Sequence, residues 1–242
     1  MATLSTLLAP DLLVPKSCWT LRADVNGYSR SQGKALITQA RRGRSFQLLD
    51  VVGGRLSVRL LEDGYHCWMD CEALLGRAER CVAWQPTLLT ADQIHQRLPE
   101  VLGWSAAAEQ QANTYLWGGT TEPDMDCSGL IQMAFASQGI WIPRDAYQQE
   151  RFCQPVATQV GQLHLLQPGD LVFFGTLRRC NHVGLYLGRG LYRHSSGTEH
   201  GRNGIGVDSL HPTNDNPVSS HYRSQLRGAG RVVRCHDGST LA

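Results

Sequence analysis

The 242-residue sequence has no apolar run that approaches the roughly 20 residues needed to span a membrane. Its formal net charge is only +2, and its densest basic cluster consists of Arg41, Arg42 and Arg44. This pattern favours a solvated turn over a nucleic-acid-binding surface. The N-terminus lacks a basic region, and Pro10 and Asp11 interrupt its apolar stretch. We therefore predict a cytoplasmic protein with neither nucleic acid nor membrane as a partner.

The eight cysteines lack the dense spacing of a disulfide scaffold. Cys67 and Cys71 form a C-x3-C pair, but no second Cys or His pair follows at the spacing of a zinc site. A reducing cytosol would keep the cysteines as thiols. We predict a protein without structural zinc and without any other metal or organic cofactor.

Short strand-like runs and turn signals alternate in the first part of the chain. One run ends at Val52 and is followed by the Gly53-Gly54 turn, and Asp63-Gly64 offers a second hairpin-type turn. Short strands at this spacing are typical of a small all-β barrel. We predict such a domain over residues 1–85, followed by a linker at 86–94.

The second half begins with helical segments. Thr90 is a predicted N-cap, because its side-chain oxygen can accept from the N–H groups of a first helical turn. The Ala- and Gln-rich segment 104–116 predicts a helix that ends at Trp117-Gly118-Gly119. A further helix is predicted from Ser128 and closes at Gly139.

Strand-like segments follow these helices, at 170–175, 182–188 and 191–197. Helices followed by an antiparallel sheet give the α+β order. We therefore predict an α+β domain over residues 95–242, with its helices packed on the sheet.

The segment DMDCSGL places Cys127 at the first turn of the predicted helix. A thiol attacks as the thiolate, and a free cysteine with a pKa of ~8.5 is mostly protonated at neutral pH. A helix N-terminus stabilises an anion, and a nearby imidazole can accept the proton. Cys127 is therefore a candidate nucleophile, and a buried structural thiol is the alternative. Asp126 is expected to cap the helix.

Two of the nine histidines, His182 and His194, stand apart from the rest. They start and end two strand-like runs that are separated by the short turn Gly188-Arg189-Gly190. If these runs pair as a hairpin, the two imidazoles can lie side by side on one face. One would then accept the thiol proton, and the other would orient it and fix its tautomer. The alternative for His194 is a strand-end histidine without a catalytic role.

The motifs DCSGL, PGDLVFFG, NHVGLYLG and YRHSSG, preceded by YLWGGT, resemble the NlpC/P60 cysteine peptidases of bacterial cell-wall metabolism. The resemblance covers about residues 95–234 and implies a papain-like catalytic domain. The first part of the chain resembles a bacterial SH3 (SH3b) domain. The combination is similar to cyanobacterial γ-D-glutamyl-L-diamino acid endopeptidases, a match that IWIPRDA, DAYQQE and RGAGRVV strengthen.

The resemblance implies catalytic roles for four residues. Cys127 corresponds to the nucleophile, His182 to the general base and His194 to the third, orienting member. Tyr115 corresponds to a tyrosine near the oxyanion site, where its hydroxyl would act with the backbone N–H of Cys127. The alternative for Tyr115 is a packing aromatic at a helix end.

The resemblance also implies three substrate-binding residues. Asp145 would bind the free amino group of an N-terminal L-alanine, and Tyr65 would block the far end of the cleft. Ser128, next to the nucleophile, completes this set. The alternatives are a helix N-cap for Asp145 and a core aromatic for Tyr65.

The function implied is cleavage of the bond between D-γ-glutamate and a diamino acid, diaminopimelate or lysine, in a murein peptide. The expected substrate is L-Ala-γ-D-Glu-diamino acid with a free N-terminus. The lack of an export signal and the near-neutral charge favour a role in peptidoglycan recycling. The rate is expected to depend on pH as a bell-shaped curve. A papain-like acyltransferase or amidase and a non-catalytic wall-binding module remain as alternatives.

Overall fold

The computed structural model describes residues 6–81 and 84–240, so the first five residues of the N-terminal stretch lie outside it. The chain forms two compact units. The first contains the chain up to Pro86, Gly118–Thr121 and the end of the chain from His236, and the second contains Thr87–Trp117 and Glu122–Cys235. The domain bounds predicted from the sequence, 1–85 and 95–242, stay predictions. Of the linker predicted at 86–94, Pro86 lies in the first unit and residues 87–94 lie in the second.

The described part of the first unit is a seven-stranded antiparallel sheet with the order β3-β2-β6-β5-β4-β1-β7. A short helix, α1 (Cys71–Leu74), lies between β6 and β7 in the chain. The strands are β1 (Cys18–Leu21), β2 (Val25–Tyr28), β3 (Leu36–Ala40), β4 (Ser45–Val52), β5 (Arg55–Leu60), β6 (His66–Asp70) and β7 (Ala78–Arg80).

The predicted turn between β4 and β5 is confirmed. Val52 pairs with Arg55, and Gly53 has a φ of +59°, a left-handed conformation that a residue without Cβ adopts at little cost. Alternating residues of the strands face one core, in which Trp19 and Phe46 are fully buried. This unit therefore has an apolar core of its own.

The second unit contains a six-stranded antiparallel sheet with the order β12-β11-β10-β9-β13-β8, and helices cover it. The predicted α+β class is confirmed. The strands are β8 (Gln154–Val156), β9 (Leu171–Gly175), β10 (Cys180–Gly188), β11 (Leu191–Ser196), β12 (Gly204–Ser209) and β13 (Leu226–Arg231). The helices are α2 (Ala91–Gln96), α3 (Leu98–Gln110), α4 (Cys127–Ala136), α5 (Ala146–Phe152) and α6 (Pro217–Arg223).

The helix predicted over 104–116 was placed wrongly. Helix α3 begins at Leu98, with Pro99 in its first turn, and ends at Gln110. The following residues bond to distant parts of the chain instead of continuing the helix. Asn113 Oδ1 accepts from the backbone N–H of Ile205 at 2.7 Å, and the N–H of Thr114 donates to Asp124 at 2.6 Å. Tertiary hydrogen bonds thus override the helical propensity of this segment.

The ends of two other helices follow the sequence closely. Thr90 caps α2, since its hydroxyl accepts from the N–H of Gln93 and its own N–H donates to the side-chain oxygen of Gln93. Helix α4 begins at Cys127, one residue before the predicted start at Ser128, and ends at Ala136. Gly139 (φ +71°) completes the turn that follows. Over the residues that the structure describes, no helix is long and apolar enough to cross a membrane.

Candidate active site

Cys127 is the first residue of α4, and its side chain is almost fully buried. The predicted cap is confirmed, because Asp126 Oδ1 accepts from the backbone N–H of Gly129 at 2.7 Å. Helix α4 packs on β10 and β11, which carry the two histidines. The N-terminus of the helix thus presents its partial positive charge to the thiol.

Burial strongly disfavours a thiolate at Cys127. Desolvation, followed by the charge of Asp126, raises the pKa of the Cys127 thiol to about 12. The backbone N–H groups of Val183 and Ser128 and the charge of Arg144 act in the opposite direction. An isolated thiolate is therefore costly here, and its formation depends on a partner that accepts the proton.

His182 and His194 are the candidates for that partner and its support. The hairpin of β10 and β11 brings the two imidazoles together, with His182 Nε2 at 2.7 Å from His194 Nδ1. The rings meet edge to face at 4.9 Å between centroids, and both are buried. The predicted side-by-side arrangement is confirmed. Burial, followed by the charge of His194, lowers the pKa of His182 well below its ordinary value.

The hydrogen-bonded chain continues to Asp208, a residue that the sequence analysis missed. His194 Nε2 lies 2.7 Å from Asp208 Oδ2, Arg202 donates to the same oxygen at 2.6 Å, and Ser219 donates to Oδ1 at 2.8 Å. His194 of β11 pairs with Gly206 of β12, and Asp208 lies two residues beyond Gly206 on the same face of the sheet. Asp208 is the one charged residue of β12, and this was the available signal, but the pairing of β12 with β11 was needed to interpret it.

Tyr222 of α6 was also missed. Its ring stacks on His182 with 4.1 Å between centroids, and its hydroxyl lies 2.6 Å from Ser196 Oγ. Beyond it, His200 stacks on His221 at 4.3 Å. Tyr222 therefore fixes the plane of the His182 ring from one side.

Tyr115 lies in the loop after α3, half-buried, where its backbone N–H donates to Asn203 Oδ1 at 3.2 Å. Burial raises the pKa of Tyr115, and the next contribution comes from the charge of Cys127. Tyr115 therefore stays protonated, and a negative charge on Cys127 would raise the pKa of its hydroxyl further.

Ser128 is buried in a network that holds the start of α4. Arg144 donates to both oxygens of Asp126, at 3.1 and 2.7 Å, and to Ser128 Oγ at 2.9 Å. The Ser128 hydroxyl donates in turn to Asp126 Oδ1 at 3.3 Å. The structure thus gives Ser128 a supporting position, and its substrate-binding role stays a prediction.

Asp145 follows Arg144 and occupies the N-cap position of α5. Its backbone N–H donates to Gln148 Oε1 at 3.3 Å. The ion pair of Arg144 with Asp126 therefore ties the loop that carries Asp145 to the residue before Cys127.

Tyr65 belongs to the first unit, where it is half-buried against the apolar core, as its structural alternative predicted. Substrate contacts of these two residues stay predictions.

Among residues 6–81 and 84–240, no group of three or more His, Cys, Asp or Glu side chains is placed to hold a metal ion. Of the two buried imidazoles, His194 bonds to Asp208, and His182 bonds to His194.

Comparison with known protein families gives two matches. The profile of the NlpC/P60 family matches residues 112–227, and that of the bacterial dipeptidyl-peptidase SH3 domain matches residues 27–74. The first match includes Tyr115, Cys127, His182 and His194.

Curated relatives match parts of the chain. A bifunctional muramidase/DL-endopeptidase of Bacillus subtilis is 32% identical over 130 residues, which are 52% of this chain and 34% of the relative. A dipeptidyl-peptidase 6 of Lysinibacillus sphaericus is 41% identical over 99 residues, which are 41% of this chain and 32% of the relative. The matched part is thus about a third of either relative. The crystal structure of an NlpC/P60 family protein from Bacillus cereus, 23% identical, superposes with a TM-score of 0.42 over 90% of this chain and 64% of that one.

Proposed function

Because the chain belongs to the NlpC/P60 family through residues 112–227 and carries a bacterial SH3 domain before them, we propose that it is a cysteine endopeptidase acting on murein peptides. The observation that carries the proposal is the 2.7 Å contact between His182 Nε2 and His194 Nδ1, on the strands that pack against the N-terminal helix residue Cys127. The backbone N–H of Val183, the residue after His182, hydrogen-bonds to the Cys127 sulfur. These groups form a nucleophile, a base and an orienting residue in one buried cluster. The names of the two curated relatives, an endopeptidase and a dipeptidyl-peptidase, support the same class of reaction.

The proposed mechanism follows from which imidazole nitrogen is occupied. His194 takes Nε2 of His182, which leaves Nδ1 available to accept the proton of the Cys127 thiol. The sulfur attacks the γ-carbonyl of D-glutamate, and the Tyr115 hydroxyl and the N–H of Cys127 stabilise the oxyanion. The tetrahedral intermediate collapses as His182 returns its proton to the amine of the leaving diamino acid. Water then hydrolyses the thioester, with His182 as base.

We propose L-Ala-γ-D-Glu-diamino acid peptides with a free N-terminus as substrates, and Asp145 as the group that binds their ammonium. The support is the Asp126–Arg144 ion pair, which anchors the loop of Asp145 to the start of α4. A carboxylate in a partly buried position attracts an ammonium more strongly than one in bulk water. Cleavage of free peptides, rather than of intact wall, would place the enzyme in recycling in the cytoplasm.

The proposal is tested by incubating the protein with the free tripeptide, the free tetrapeptide and purified sacculi in parallel. We expect cleavage after D-γ-glutamate in the two free peptides and little release from sacculi. Cys127→Ala should abolish cleavage, whereas Cys153→Ala, a matched change at an equally buried cysteine, should retain it. Activity that survives Cys127→Ala would refute the mechanism, and equal rates on sacculi would refute recycling. Transfer of the acyl group to an added amine instead of water would identify an acyltransferase.

A further inference from the structure

The hydrogen-bonded chain that begins at His182 does not end at His194. It ends at Asp208, a buried carboxylate held by three donors, His194 Nε2, Arg202 and the Ser219 hydroxyl. We propose that Asp208 is a positioning residue that fixes which nitrogen of each imidazole in this chain carries the proton. Arg202 partly offsets the effect of the Asp208 charge on His194. This inference rests on the proposed function of the Cys127 site.

Asp208 fixes which nitrogen of His194 carries the proton. Burial raises the pKa of Asp208, but the hydrogen bond and charge of His194, together with Ser219 and Arg202, outweigh burial and hold the pKa below its ordinary value. An ionised carboxylate only accepts hydrogen bonds. His194 must therefore carry its proton on Nε2, and a neutral His194 then offers only a lone pair at Nδ1.

The same logic passes to the next ring. The contact between His194 Nδ1 and His182 Nε2 then requires the proton to be on His182 Nε2. This leaves a lone pair on Nδ1 of His182, the tautomer that can accept the proton of Cys127. Without a fixed acceptor at Asp208, both rings are free to reverse, and the reversed order presents an N–H to the thiol.

Asp208 also supplies a negative charge beside the histidine pair. When His182 accepts the thiol proton, a positive charge appears among buried groups, and burial lowers the pKa of both histidines. Asp208 offsets this cost because its hydrogen bond and charge raise the pKa of His194, whereas the charge of Arg202 lowers it. Among the described residues, the other titratable groups that act on or contact the pair include Tyr192, His200, His221 and Tyr222. The Cys127 sulfur hydrogen-bonds to the backbone of Val183, the residue after His182.

The backbone is shaped to let Arg202 reach Asp208. A Cβ at Gly206 would collide with the guanidinium of Arg202, so only glycine leaves room for the side chain to cross the strand. Arg202 then donates to the same Oδ2 atom that contacts His194. The negative charge of Asp208 and the positive charge of Arg202 therefore both act on His194 from the position of Asp208 Oδ2.

Three variants separate a positioning role from a structural one. Asp208→Asn keeps the shape but removes the charge, Arg202→Gln removes the opposing charge, and Ser219→Ala removes a neutral donor to Asp208. Two readouts are compared over pH. They are kcat/KM on the free tripeptide and the rate of Cys127 alkylation by iodoacetamide, assigned by peptide mapping.

Removing a negative charge makes every nearby proton easier to lose, and removing a positive charge makes it harder. Asp208→Asn should therefore move the acid-side midpoint of both profiles down by about one pH unit and lower kcat at least tenfold. Arg202→Gln should move the midpoint up, and Ser219→Ala should leave it in place. Circular dichroism and thermal melts establish that each variant is folded.

The proposal is overturned if the Asp208 and Arg202 variants shift the midpoint in the same direction, or if neither shifts it while both remain folded. Failure of the proposed function gives a different result. In that case the wild-type protein does not cleave the tripeptide, and the alkylation profiles alone report the proton order.

Discussion

Replacing Arg144 by methionine should be among the most damaging single changes in the second unit. Arg144 is fully buried and forms a bidentate pair with Asp126, whose side chain is 9% exposed. Breaking a buried ion pair at one partner leaves the other charge uncompensated, at a cost of roughly 3–5 kcal/mol. We expect the free energy of unfolding to fall by about that amount. The rate should also fall, because the remaining carboxylate raises the pKa of Cys127 further.

The double variant Arg144→Met/Asp126→Asn tests whether the stranded charge is the cause. The asparagine removes the charge but keeps an oxygen that can accept from Gly129, so the cap of α4 survives. The double variant should therefore recover roughly 2 kcal/mol relative to Arg144→Met alone. The assay is urea unfolding followed by circular dichroism.

The control is Arg178→Met in the exposed turn between β9 and β10, which should change stability by no more than about 0.5 kcal/mol. A loss below about 1 kcal/mol in Arg144→Met would refute the argument. A double variant as unstable as Arg144→Met would show that the lost contacts of the arginine, and not the isolated charge of Asp126, carry the cost.

Three further predictions concern the reaction itself. The rate should rise with pH through a midpoint below 6.5, because the pKa of His182 is lowered. It should fall only far into the alkaline range, because the pKa of Cys127 is about 12. A stopped-flow pH series in which the rate rises only above pH 8 would contradict this assignment. N-acetylation of the substrate removes the charge proposed to pair with Asp145, so kcat/KM should drop roughly tenfold or more. The drop should vanish in Asp145→Asn, and equal turnover of free and acetylated peptide by the wild type would eliminate the role of Asp145. Gly206→Ala should displace Arg202 and move the acid limb upward in pH, as Arg202→Gln does, which the same pH series measures.

The parts of the site that the sequence predicted are those that local rules determine. Asp126 followed by an apolar run sets the start of α4, and so the position of Cys127. A short turn between two strand-like runs makes a hairpin, and a hairpin brings His182 and His194 together. These relations span only a few residues, so they depend little on the rest of the fold.

The parts that were missed depend on long-range pairing. Asp208 reaches His194 only because β12 pairs with β11, and Tyr222 reaches His182 only because α6 folds back over the sheet. The wrong end of α3 has the same origin, since Asn113 bonds to Ile205, far along the chain. No local periodicity encodes such contacts.

The division of the chain has a consequence for the order in which the protein folds during synthesis. N-terminal domains usually fold first as the chain leaves the ribosome. Here the first unit includes Gly118–Thr121, where Thr120 bonds to Gln39, and the end of the chain, where Gly238 packs against Leu61. The first unit therefore cannot be completed until Gly238 has been made. Residues that come early in this sequence wait for residues that follow the second unit, and a gene fragment that stops at Pro86 would produce the first unit with two of its pieces missing.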